Sequence, residues 1–155
     1  MDIQINYDYR QEDLEGLPLQ GLAQFVLSHE DKPSTTEASV SFVTDEAIAD
    51  LNERYRHKEG STDVLSFECD NVSDEFSSSA FADGSVYELG DVVIAPDVAA
   101  RQTLEFGTTF EEEISLLLVH GLLHLCGYDH IEDDEAEVME QQEAAILAAW
   151  SQRTA

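Results

Sequence analysis

Residues 109 to 127, TFEEEISLLLVHGLLHLCG, constrain the fold more than any other stretch. Thr109 followed by Glu112 forms a capping box, which starts a helix by satisfying two of its orphan amides reciprocally. After Ser115 the segment is apolar nearly all round, so the spacing predicts a central helix buried by its neighbours rather than one with a solvent face. Gly127 can take the left-handed conformation that ends a helix. The rest of the chain must supply the layers that cover this element.

Those layers are partly visible as local periodicities. Residues 2 to 7 alternate, with Ile3, Ile5 and Tyr7 on one face of a strand. Residues 17 to 29 carry Leu19, Leu22, Ala23, Val26 and Leu27 at helical spacing. Glu37 to Thr44 alternates again, and Thr44 with Asp45 and Glu46 caps a helix whose stripe is Ile48, Leu51 and Tyr55. Residues 62 to 67 and 88 to 95 read as two further strands, the second apolar enough to be buried on both faces. Pro96 opens a helix that Gly107 ends. The acids from Glu132 to Glu135 open a last amphipathic helix with Val138, Ala145, Ile146 and Trp150 inward. Residues 70 to 86 are polar, Ser-rich and aperiodic, and are expected to form a mobile surface loop. With no repeat or linker, residues 1–155 are predicted to form a single α+β domain, with a small mixed four-stranded sheet and about five helices.

Charge narrows the partners. Thirty-four acids against seven bases give a formal charge of -27, which opposes nonspecific capture by nucleic acid. Three of the seven bases fall in one run, Arg54-Tyr55-Arg56-His57-Lys58, the natural place for an anion; the same cations also suit the end of a helix, and both readings stand. Two distant cysteines, Cys69 and Cys126, are no disulfide framework and predict a reducing compartment. No basic leader and no apolar run near the ~20 residues of a membrane span are present, so a cytoplasmic location without membrane attachment is expected.

Three of the five histidines lie between residues 120 and 130, in HGLLHLCGYDH. His120 and His124, four apart, share one helix face. A turn at Gly127 can bring His130 back to the same point. Three imidazole nitrogens at about 2.0–2.1 Å from Zn²⁺ leave a fourth tetrahedral position open, the mark of a catalytic site, and a water there is acidified to a pKa of about 7. Other divalent transition metals accept the same ligands. Cys126 is rotated about 200° from His124 on a helix and is expected to be a small buried hydrophobe. His29 and His57 are expected to be exposed or capping residues, and Asp129 either orients a ligand or caps a turn.

The spacing HxxxHxxGxxH matches that of metalloproteases whose second position is a glutamate serving as general base, which makes the central helix zincin-like. Here that position is Gly121, which disfavours peptide hydrolysis unless another carboxylate such as Asp91 reaches the site.

Three blocks together, LNERYRHKEGSTDVLSF at 51 to 67, ELGDVVIA at 88 to 95 and HGLLHLCGYDHIEDDEAEVM at 120 to 139, resemble the bacterial YbeY family of metal-dependent endoribonucleases. The resemblance implies that His120, His124 and His130 bind one zinc ion and that Arg56 is the family's functional arginine. It also implies a cleft between the sheet and the zinc helix, single-strand endonuclease action in three-prime-end maturation of small-subunit rRNA, and a part in ribosome quality control. RNA and the small ribosomal subunit or its proteins are then the expected partners. Two alternatives remain: a metalloprotease-like hydrolase, and a non-catalytic, zinc-stabilised ribosome assembly factor whose acidity suits a basic ribosomal protein.

Overall fold

The structure is a computed structural model that describes residues 1–57, 60, 62–68, 87–128 and 133–154. The expected loop at 70 to 86 lies outside the described residues. Four strands, β1 (Asp2–Tyr7), β2 (Thr36–Phe42), β3 (Val64–Glu68) and β4 (Tyr87–Ile94), form one sheet in the order β1-β2-β4-β3. β1 and β4 both run parallel to β2, and β3 is antiparallel to β4 at the edge. The helices are α1 (Gln11–Leu14), α2 (Leu19–His29), α3 (Asp45–Arg56), α4 (Pro96–Phe106), α5 (Phe110–Leu125) and α6 (Asp133–Thr154).

α5 is the central element: it packs on α2, α4 and α6 and lies against β3 and β4. Its start is the expected capping box, with Glu112 N–H donating to Thr109 Oγ1 at 3.1 Å and Thr109 N–H donating to Glu112 Oε1 at 3.0 Å. Ile114, Leu118, Val119, Leu122 and Leu123 are fully buried, as a helix apolar all round requires. The helix lies close against the sheet at Gly121. A Cβ there would lie 2.6 Å from Val92 Cγ1 and 3.2 Å from Val64 Cγ2, and Ser66 Oγ donates to the Gly121 carbonyl at 2.8 Å.

α3 lies on the other face. Pleat alternation turns Val64, Ser66 and Val92 toward α5, so their neighbours Leu65 and Val93, paired across β3 and β4, point the opposite way. There they join Ile48 of α3 and Ala95 in a second, smaller core. Thr44 caps α3 as expected, accepting from Ala47 N–H at 3.2 Å.

The described residues hold six helices, the expected five and the single turn α1, which carries no periodic stripe long enough to register. Two expectations are corrected. β4 is not buried on both faces throughout: Val92, Val93 and Ile94 are, but Glu88 and Asp91 are exposed because α3 covers only the far end of that face. On α6, Val138 is 51% exposed and Ala145 is also exposed. The inward stripe is instead Met139, Glu143, Ile146 and Trp150, with the indole seated 3.2 Å from where a Gly21 Cβ would stand on α2.

Candidate active site

The last turns of α5 place His120 and His124 with ring centroids 4.7 Å apart and Nε2 atoms 3.1 Å apart. Their other nitrogens determine what those Nε2 atoms are. His124 Nδ1 lies 3.0 Å from the Tyr128 carbonyl, which can only accept, so Nδ1 carries the proton. His120 Nδ1 is bonded to a carboxylate oxygen of Glu143, again an acceptor. In the neutral rings both Nε2 atoms therefore present lone pairs to one another, an arrangement that a shared cation stabilises. Two nitrogens bound at about 2.05 Å across a tetrahedral angle stand about 3.3 Å apart, close to the 3.1 Å found here.

The turn after α5 makes this geometry. Gly127 has φ 105°, a value that favours glycine, and its N–H donates to the His124 carbonyl at 3.1 Å. Tyr128 N–H donates to the Leu123 carbonyl at 3.1 Å, which brings the Tyr128 carbonyl under His124. His130 and Asp129 lie outside the described residues. Among the described residues no set of three His, Cys, Asp or Glu side chains converges on one point. Cys126 packs into the main core, and burial pushes its thiol up to about 11.

The two histidines open into a cleft of about 850 Å³ whose wall includes Val64, Ser66 and Glu68 of β3, Asp63, and Arg56. Because β3 is the edge strand, the end of α3 on one face and the end of α5 on the other meet beside it. Arg56 is the last residue of α3, and His57 caps it in the left-handed conformation with φ 57°. Arg10, Arg54 and Arg101 each pair with an aspartate. Among the described residues Arg56 pairs with none, although the chain has thirty-four acids. Lys58 lies outside the described residues. Neither His29 nor His57 lines the cleft; His29 is paired with Glu30 at 3.1 Å.

Asp91 is on the open face of the sheet, exposed and bonded by Ser39 Oγ, with α5 on the opposite side. It does not approach the histidines. Glu143 was not anticipated as a site residue. Its signal was a single acid in an otherwise apolar stripe, Met139–Glu143–Ile146–Trp150, which is hidden if the stripe is set one residue earlier, on Val138 and Ala145.

The chain is similar to known proteins over most of its length. The family model described as endoribonuclease YbeY matches residues 3–151. A protein of Frankia casuarinae named endoribonuclease YbeY is 44% identical over 138 residues, covering 89% of this chain and 69% of its own. One of that name from Lachnoclostridium phytofermentans is 34% identical over 155 residues, covering 94% and 92%. The solution structure of TM1509 from Thermotoga maritima superposes with a TM-score of 0.59 at 25% identity, covering 97% of this chain and 93% of the other. By its sequence over nearly its whole length, the chain belongs to the endoribonuclease YbeY family.

Proposed function

We propose that this protein is a zinc-dependent endoribonuclease acting on single-stranded RNA, in which His120, His124 and His130 hold one metal ion and Arg56 binds the phosphate to be cut. The observation that carries the reading is the convergence of two lone-pair nitrogens, each set by a bonded Nδ1, in the same cleft as Arg56. The donor set, neutral imidazoles, suits zinc; other divalent transition metals would also bind. When bound, such an ion supplies a Lewis acid able to acidify water to near neutrality.

The chain's own residues do the rest. Glu143 and the Tyr128 carbonyl hold the two imidazoles in the tautomer that turns Nε2 inward. Arg56 can donate two parallel hydrogen bonds to non-bridging phosphate oxygens, fixing the strand and stabilising charge that develops there. Gly121 offers no general base, and the space a side chain would need is filled by Val92 and Val64, so peptide hydrolysis is disfavoured.

The proposal extends, on the resemblance of the three sequence blocks, to three-prime-end maturation of small-subunit rRNA and ribosome quality control in the cytoplasm. Among the described residues no helix is long and apolar enough to cross a membrane. A second reading, a zinc-stabilised assembly factor docking on a ribosomal protein, is favoured by one feature: Asp2, Glu37, Glu88 and Asp91 line the uncovered sheet face and would attract a basic partner.

The test measures bound metal and cleavage of a structured RNA for wild type, His124→Ala and Arg56→Ala, with a casein digest alongside. His124→Ala is expected to lose metal and cleavage together, and Arg56→Ala to keep metal but cut poorly. Unchanged cleavage in the metal-free variant overturns the reading; casein hydrolysis restores the peptidase; metal binding without any cleavage favours the assembly factor.

A further inference from the structure

Tyr55 is 62% exposed, as open as any tyrosine or phenylalanine among the described residues, and the core does not account for it. It stands one residue before Arg56 at the end of α3. Its ring meets Phe67 of β3 edge to face, with centroids 5.4 Å apart and planes at 71°. Phe67 in turn forms part of the cleft wall with Arg56 and the two histidines. An edge-to-face contact of this kind favours one setting of the tyrosine ring.

We propose that Tyr55, backed by Phe67, is a stacking platform for one unpaired nucleobase of the RNA whose phosphate Arg56 holds. The inference rests on the endoribonuclease reading and adds what that reading lacks, a source of affinity. In a chain of charge -27, with Asp63 and Glu68 on the same cleft wall as Arg56, phosphate attraction is weak. Stacking on an aromatic face does not depend on net charge and is worth about 1–3 kcal/mol per base, a factor of roughly 5 to 150 in affinity. It also selects single strands, since a paired base has no exposed face to offer. A purely packing role for the pair predicts a buried tyrosine, yet of the two rings it is Phe67 that packs against the second core.

The test compares binding of a labelled 2′-O-methyl oligoadenylate with that of an abasic strand of the same length, by fluorescence anisotropy at physiological salt. The variants are Tyr55→Ala and Tyr55→Trp, each checked by thermal melting; Tyr55 is exposed enough for both to fold. Tyr55→Ala is expected to bind oligoadenylate about 5- to 150-fold more weakly and the abasic strand as wild type does, while Tyr55→Trp keeps wild-type affinity for both. Equal loss on both strands, or no loss on either, overturns the platform. If wild type still cuts RNA in that case, the endoribonuclease reading survives alone; if wild type neither binds nor cuts RNA, both fall.

Discussion

Replacing Glu143 tests whether the two histidines are poised as metal ligands. Its side chain is only 10% exposed and accepts the Nδ1 proton of His120. With alanine at 143 that proton loses its partner, and His120 can rotate or take the other tautomer, which would turn a donor rather than a lone pair toward His124. Loss of such an outer partner typically weakens metal binding about 10- to 100-fold, or about 1.4–2.7 kcal/mol. Glutamine keeps a carbonyl acceptor but removes the charge, so its loss should be the smaller. The assay is zinc competition against a chelating dye at neutral pH, paired with melting curves at a fixed excess of free zinc. Because metal bound only by the folded state stabilises it by mass action, a tenfold weaker site removes about 1.4 kcal/mol of that stabilisation. For a domain of this size, that lowers the zinc-induced rise in Tm by roughly 3–6 °C. The expected order of zinc affinity is wild type, Glu143→Gln, Glu143→Ala. A folded Glu143→Ala protein with wild-type zinc affinity, or a glutamine variant weaker than the alanine one, would refute the reasoning.

Three further outcomes follow from the packing. Gly121→Ala drives a methyl to 2.6 Å from the stiff, buried Val92, so α5 must move off the sheet. Denaturant unfolding should show a loss of about 1–3 kcal/mol, in spite of alanine's better helix propensity. Thr109→Ala removes the hydroxyl that accepts from Glu112 N–H and should cost about 1 kcal/mol, read as a fall in Tm of roughly 2–4 °C. The Cys126 thiol, shifted by burial from 9.0 to about 11, should be labelled by a thiol reagent at pH 8 about 100-fold more slowly than in the unfolded chain, in a Cys69→Ser background. The sign for stability is also set: since the folded value is the higher, the contribution from burying this thiol is intact below pH 9 and is lost as pH rises through about 11.

The helix that anchors the fold was legible because its instructions are local. The capping box, the apolar run and Gly127 lie within one continuous stretch, and backbone geometry alone brings His120 and His124 onto one face. The strands and most helix starts were legible for the same reason: periods of 2 and 3.6 express themselves over a few residues. Tertiary structure alone decided the strand order, the placement of α3 on the far face of the sheet and the meeting of Arg56 with the histidines at the β3 edge. It also rotated α6 so that Glu143, rather than Val138 or Ala145, faces inward onto His120. Each of these depends on which surfaces pair across long stretches of chain. A local pattern states that a face must be buried, but not against what, and only packing chooses the partner.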